Sequence, residues 1–413
     1  MDSLNSTPRA SRLHIGLFGR RNSGKSSLIN AITGQPVAIV SDIAGTTADP
    51  VYKSMELHGI GPVVFIDTAG LDDEGALGAL RVAKTRDAMD KTDIAMLVID
   101  AEPCAGAPGT GAPAQGFLAK EGEYLSELRR RGLPVITLIN KADTADAGFL
   151  ARIARALEGE WGASPLQVSA RTGQGIGRIR ERLIEALPED YEAGSITGGL
   201  VRDGDRVLLV MPQDTQAPKG RLILPQVQTL RELLDRKCIV LSVTADRLDE
   251  GLASWPAPPA LIITDSQVFR AVYEKKPAES RLTSFSVLFA AYKGDISYFL
   301  EGARAIDDLG PGARVLIAEA CTHAPLREDI GREQLPRMLR AKTGGDIDVT
   351  VVSGAKWPEE LGGFDLAIHC GACMFNRKYV LSRIEKARAA GLPMTNYGLA
   401  IAAMNGVLDK ISV

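Results

Sequence analysis

Short apolar runs alternate with stretches of helical period along most of the chain. Leu13–Phe18, 63–67, 95–100 and Val135–Asn140 are nearly unbroken apolar runs of strand length, while Lys25–Thr33 and 179–186 carry the helical period. Strands apolar on both faces, separated by helices, predict a parallel sheet covered on each side. Residues 102–116 are rich in Ala, Gly and Pro and read as a surface insertion. Pro188 ends the first alternation, and the polar, Gly-rich stretch 189–199 reads as a linker. Strand-like runs return at 206–211, 238–243 and 260–264, with a helical stretch at 227–236. The charged segment 274–280, carrying Pro277, marks another boundary. Beyond it, 314–318, 348–352 and 364–369 read as strands, and 302–309 and 378–390 as helices. The class is α/β, in three expected domains: 10–188, 197–279 and 281–413. The middle one shows no constellation of reactive side chains, so its expected role is self-association.

Composition narrows the choice. A chain of 413 residues is too long for one ordinary core. Its 45% hydrophobic and 24% charged residues are those of a globular protein. A net charge of -3 supplies no basic field for nucleic acid. No apolar run is long enough to span a bilayer, and Met1 to Ser11 is short and polar. The expectation is a cytoplasmic protein that engages neither nucleic acid nor membrane. Five cysteines do not make a disulfide framework.

Gly19-Arg20-Arg21-Asn22-Ser23-Gly24-Lys25-Ser26 fits the P-loop pattern between a predicted strand and a predicted helix. Its glycines allow a tight turn whose N–H groups face phosphate oxygens, and the helix, which continues with Ser27, begins there. Lys25 offers a charge to the terminal phosphates, and Ser26 a hydroxyl to magnesium. Asp67-Thr68-Ala69-Gly70 ends an apolar run. Its carboxylate can hold magnesium through water, and Gly70 can turn an N–H toward the γ-phosphate. Asn140-Lys141-Ala142-Asp143 ends another run. There Asp143 can accept both guanine N1–H and the exocyclic amine, a donor pair that adenine lacks. Ser169-Ala170 adds a backbone contact to the base. Each motif is weak alone; four in order, each at a strand end, point to GTP.

These residues resemble the P-loop GTPase branch that contains TrmE and Der. The resemblance makes Gly45-Thr46-Thr47 the switch segment, with Thr47 on magnesium, and makes Asn22 a potassium ligand. The bland reading of Asn22 is a turn residue bonding its own backbone. Leu71 stands where Ras-like proteins place a water-orienting glutamine, which implies slow intrinsic hydrolysis. Asp72, Asp73 and Glu74 read as a solvated acidic loop.

Cys321-Thr322-His323 and His369-Cys370-Gly371-Ala372-Cys373 each follow a predicted strand. The carboxyl ends of parallel strands are where open α/β sheets place ligands. Two such loops on one rim could bring three thiols and two imidazoles together. Residue types alone leave zinc and an iron–sulfur cluster equally open, with a redox role behind both. Cys238 reads as a buried small hydrophobe, Cys104 as a bystander, and His14 and His58 as structural histidines.

A GTPase of this branch, an α/β middle segment, C-x-H … H-C-x-x-C and the late Thr395-Asn396-Tyr397-Gly398 together resemble the HydF family, over essentially the whole chain. That resemblance implies a P-loop GTPase domain followed by smaller dimerisation and cluster-binding domains. It implies a 4Fe–4S cluster on Cys321, Cys370 and Cys373, with His323 or His369 as candidates for an exchangeable fourth position. It further implies a homodimer that carries a diiron precursor, built with radical-SAM maturases, to apo FeFe-hydrogenase. For Asn396 and Tyr397 a helix-start or packing role is the expectation. Two other classes stay open: a TrmE/Der-like GTPase with a structural zinc domain acting on RNA or ribosomes, and a redox-sensing iron–sulfur GTPase.

Overall fold

The computed structural model describes residues 9–34, 50–57, 59–70, 76–101, 118–188, 194–212, 222–319, 330–354, 357–372 and 375–413. The chain divides into two compact units on either side of residue 192.

In the first unit, β1 (Leu13–Phe18) leads to α1 (Lys25–Thr33), β2 (Val51–Leu57), β3 (Gly61–Asp67) and α2 (Ala76–Met89). β4 (Ile94–Asp100), α3 (Ala119–Arg130), β5 (Val135–Asn140), α4 (Ala147–Trp161), β6 (Leu166–Gln167) and α5 (Ile176–Glu185) follow. The sheet order is β2-β3-β1-β4-β5-β6. Only β2 among these runs antiparallel to its neighbour. β1 and β4 are buried at every position, because helices cover both faces of the sheet. β2 lies at an edge, half-exposed and carrying Lys53 and Glu56. It therefore lacks the unbroken apolar run that marks its neighbours. α4 is set by its ends: the Asp146 side chain accepts from Phe149 N (2.9 Å), and Gly162 closes it at φ 59°.

The second unit contains two four-stranded parallel sheets. The first is built from β7 (Arg206–Val210), α6 (Leu224–Asp235), β8 (Ile239–Val243), α7 (Leu248–Ala253), β9 (Leu261–Thr264), α8 (Phe269–Lys275), β10 (Arg281–Ser284) and α9 (Phe285–Lys293), in strand order β10-β9-β7-β8. Strand β10 pairs with β9 from Arg281 to Ser284, so this sheet continues past the boundary expected between 279 and 281. The charged segment with Pro277 is a turn within the domain, leading from α8 into its last strand.

The second sheet contains β11 (Arg314–Glu319), β12 (Asp348–Ser353), β13 (Leu366–His369) and β14 (Met394–Asn396), ordered β12-β11-β13-β14. Helices α10 (Ile296–Arg304), α11 (Leu335–Thr343), α12 (Arg377–Ala389) and α13 (Tyr397–Met404) complete it. The segment 302–309, expected as one helix, is the end of α10 followed by a short 3-10 turn. β14 and α13 were not evident from pattern: β14 is three residues long, and α13 is apolar nearly all round. Asn396 caps α13 by accepting from Leu399 N (2.9 Å), and its amide donates to Ser286 O (2.9 Å). The helix-start role expected for Asn396 thus matches the geometry.

α10 lies directly on the backbone of β14. A Cβ at Gly302 would fall 2.1 Å from Met394 O and 2.4 Å from its carbonyl carbon. Backbone atoms there cannot swing aside. We expect Gly302→Ala to lower unfolding stability by about 1–3 kcal/mol, as overpacked cores do. Urea or thermal unfolding of the two proteins measures it; an unchanged midpoint would contradict the close seating of α10.

Candidate nucleotide site and cysteine loop

The P-loop joins β1 to α1 and needs its glycines for two separate reasons. Gly19 sits at φ 143°, where a Cβ would lie 2.2 Å from Val98 O on β4. Gly24 sits at φ 89°, where a Cβ would lie 2.2 Å from the Asn140 side-chain nitrogen. Asn22 is exposed and left-handed at φ 59°, a conformation that asparagine tolerates better than most residues. Lys25 is buried, and its Nζ donates to Gly19 O (3.1 Å) and Arg20 O (2.7 Å) inside the curl of the loop.

Ser26 Oγ bonds to Asp67 Oδ2, bringing the two expected magnesium-side groups together from α1 and β3. Burial pushes the Asp67 carboxyl above its usual range, opposed by the Ser26 hydrogen bond and the charge of Lys25. Thr68 is buried and donates to Leu17 O (2.5 Å), fixing the segment that ends in the buried Gly70. Thr46, Thr47 and residues 71–74 lie outside the described residues, as do His58 and Cys104.

Asn140 spans the site. Its amide donates to Ser23 O (2.8 Å) and its carbonyl oxygen accepts from Ala170 N (3.2 Å). Lys141, at φ 59°, reaches back to pair with Asp100 at the end of β4 (2.6 Å). Asp143 stands at the outer end of a cavity of about 640 Å³, lined also by Gly24, Ser27, Lys141, Ser169 and Ala170. The Ser169 hydroxyl, followed by Arg171, holds its carboxyl below the usual range, so an ionised acceptor faces the cavity. Arg171 pairs with Asp143 directly. Sequence reasoning missed that arginine, although it directly follows Ser169-Ala170. It also missed Glu121 of α3, which is buried and grips Arg20 through both oxygens at 2.6 Å. No motif marks Glu121.

In the second unit, β13 ends at His369, paired in register with Ala318 of β11, and Cys370 N donates to Ala318 O (2.9 Å). Cys370 is half-buried on that rim. Cys321, His323 and Cys373 lie outside the described residues. Among the described residues no three His, Cys, Asp or Glu side chains converge as a metal site. His369 is 1% exposed and engaged at both ring nitrogens. Nδ1 faces Cys370 O at 2.7 Å, and a carbonyl only accepts, so Nδ1 carries the proton. Nε2 then accepts from Arg383 Nη1 at 2.8 Å. Burial, reinforced by the charge of Arg383, pushes the imidazole down to about 3. Both ring nitrogens of His369 are thus engaged in hydrogen bonds, and binding a metal through either would require one of them to break. Among the other cysteines and histidines, Cys238 is buried with its thiol pushed up by desolvation, and His14 is buried and bonded to Arg12 O (2.9 Å).

Comparison with known families adds to this geometry. Residues 14–141 match the family model for 50S ribosome-binding GTPases. Residues 196–294 match the hydrogen maturase F dimerization domain, and 297–412 the hydrogen maturase F tetramerization domain. The chain belongs to the hydrogen maturase F family. It is a GTPase-domain member with two further α/β domains, as its three sheets require. Its N-terminal part is also similar to the tRNA modification GTPase MnmE. The relative from Paraburkholderia xenovorans is 33% identical over 198 residues, covering 48% of this chain and 39% of that protein. The one from Ralstonia nicotianae is 37% identical over 176 residues, covering 42% and 34%. The chain thus spans well under half the length of these curated relatives. Among solved structures, Aquifex aeolicus Era bound to GDP and AlF4- aligns at 19% identity with a TM-score of 0.36, covering 59% of this chain and 98% of that one.

The ionised Asp143 at the cavity mouth generates a specificity test. Asp143→Asn should weaken GTP binding by about two orders of magnitude, since hydrogen bonds to a charged group contribute about 1.5–3 kcal/mol each. Xanthosine triphosphate, whose ring edge suits an amide, should become the preferred nucleotide. Titration of both nucleotides against both proteins checks this, and an unchanged preference for GTP would remove Asp143 from base recognition.

Proposed function

We propose that the chain is a GTP-hydrolysing scaffold of FeFe-hydrogenase maturation, which binds a 4Fe–4S cluster and delivers a diiron precursor to the apo-hydrogenase. The observation that carries this reading is the joining, in one chain, of a GTPase-domain match, with a cavity lined by Asn140, Lys141 and Asp143, and two hydrogen maturase F domain matches, the second containing Cys370 at a strand rim. In this reading Lys25 and the N–H groups of Gly19, Asn22, Ser23 and Gly24 receive the phosphates. Magnesium is held by Ser26 and Thr47, and through water by Asp67; Gly70 meets the γ-phosphate, and Asn22 holds potassium. Asn140, Lys141, Asp143, Ser169 and Ala170 hold the base.

One described residue, Cys370, has the donor chemistry that a cluster needs. Cys370 supplies a soft sulfur at a half-buried rim, and the neighbouring strand β11 leaves the sheet at Glu319, two residues before Cys321. Cys321, Cys370 and Cys373 would hold the cluster, which when bound offers one iron site open to exchange. His323 is the better candidate for that position. His369 serves as a support behind Cys370, because its ring nitrogens already bond to Arg383 and Cys370 O. The diiron unit is cargo, received with radical-SAM maturases. The site of action is the cytoplasm, and no helix among the described residues is long and apolar enough to cross a membrane.

The working form is a homodimer. β8 lies at the edge of its sheet, and Ile239 on it is 57% exposed. Val227 and Leu234, seven residues apart on one face of α6, are 46% and 50% exposed. An apolar edge strand with open N–H and C=O groups suits pairing with a second copy. Ile239→Lys should shift the protein toward monomer in sedimentation while GTP turnover persists; a dimer of unchanged stability would move the interface elsewhere.

The nucleotide and cluster functions should separate. Cys370→Ser should lose stable iron and sulfide and keep GTP turnover. Lys25→Ala should lose most turnover and keep reconstitution. Neither should activate apo-hydrogenase in a reconstituted maturation mixture. Activation by Cys370→Ser at the wild-type level would overturn the scaffold reading.

A further inference from the structure

The loop that follows β13 is held from behind by a residue of a different domain match. Lys293 is the last residue of α9, within the stretch matching the dimerization domain. It is 2% exposed, and its Nζ donates to Ala372 O (2.9 Å) and to Phe375 O (2.8 Å). These two residues flank Cys373 in the sequence, one position before it and two after. Ala372 O also accepts from Phe375 N (3.0 Å), so one carbonyl anchors both the turn and the lysine. Ala372 is left-handed, at φ 50°, and buried. Alanine resists that conformation, so its surroundings must maintain it. Close to the same turn Arg383, 1% exposed, bonds to His369 Nε2 (2.8 Å) and Gly354 O (2.7 Å). Its guanidinium lies 4.7 Å from the Tyr379 ring centre and about equally close to Trp357 and Phe375.

We propose that Lys293 is a positioning residue for the cysteine loop: it clamps the left-handed turn at Ala372 and, with Arg383, sets a positive field behind Cys370. The inference rests on the cluster reading given above, since positive charge behind the loop favours an anionic thiolate–metal group in front of it. It also makes the second sheet incomplete as a cluster site by itself, because the clamp arrives from α9.

The test uses the full chain and the variants Lys293→Met and Lys293→Gln, with two independent readouts. The first is hydrogen exchange in the metal-free protein across residues 370–376, above all the Phe375 amide. Lys293→Met should exchange at least ten-fold faster there, with the β1–β6 sheet unchanged as an internal control. Lys293→Gln keeps an N–H donor without the charge and should stay nearer wild type. The second readout is taken after reconstitution: iron and sulfide per chain, the rate of cluster loss to a chelator, and the midpoint potential. Lys293→Met should lose its cluster about five-fold faster or more. Both variants should shift the potential to more negative values, since removing a cation disfavours adding an electron. Wild-type exchange in the loop of Lys293→Met overturns the clamp. An unshifted potential in Lys293→Gln overturns the field. A wild-type chain that takes up no iron would fail the cluster reading instead, and the exchange result still decides the clamp. If Lys293→Met does not fold, Lys293→Ala, which removes the donor without adding bulk, decides the clamp by the same exchange readout, and Lys293→Gln still decides the field.

Discussion

The side-chain amide of Asn140 holds the nucleotide site together. One face binds Ser23 O on the P-loop and the other binds Ala170 N on the loop after β6, so loops from three strand ends share one planar group. The arrangement needs an amide, because a carboxylate could not donate to Ser23 and an ammonium could not accept from Ala170. It also needs glycine at 24, whose missing Cβ leaves room for the amide nitrogen. With that bridge in place, Lys141 swings outward to Asp100 and Asp143 is left facing the cavity. The P-loop and the loop after β6 are thus fixed relative to each other by one side chain.

The second unit solves a similar problem with buried cations. Both of its sheets are parallel, and in the second one β11 and β13 end at the same rim, where Cys370 lies. At the end of β13 the fold must constrain two residues: the buried neutral His369 that closes the strand and the left-handed Ala372 three positions on. Arg383 from α12 secures the first and Lys293 from α9 the second. Both cations sit among rings and carbonyls, where a charge–dipole bond is stronger than in water and where removing one partner leaves the other exposed to the full cost of burial.

Legibility in the sequence followed local chemistry. β1, β4, β5 and α1 announced themselves because both-face burial writes an unbroken apolar run, and the P-loop fixes where the first helix starts. β2 was hidden by its polar edge, β10 by the proline turn before it, and β14 and α13 by brevity and all-round burial. The nucleotide residues could be named because their motifs are contiguous and each sits at a strand end.

The sequence alone determined the α/β class, the order of the nucleotide motifs, the two cysteine half-motifs and the family resemblance, since each is carried by neighbours along the chain. Tertiary structure decided the rest. It carried the middle sheet across the boundary read from charge and proline, because pairing of β10 with β9 depends on a partner twenty residues away. It engaged the His369 ring with Arg383, which lies fourteen positions on. It brought Lys293 to Ala372 across 79 positions. Such partners leave no local pattern: a lysine at a helix end looks the same in sequence whether it faces water or a buried carbonyl.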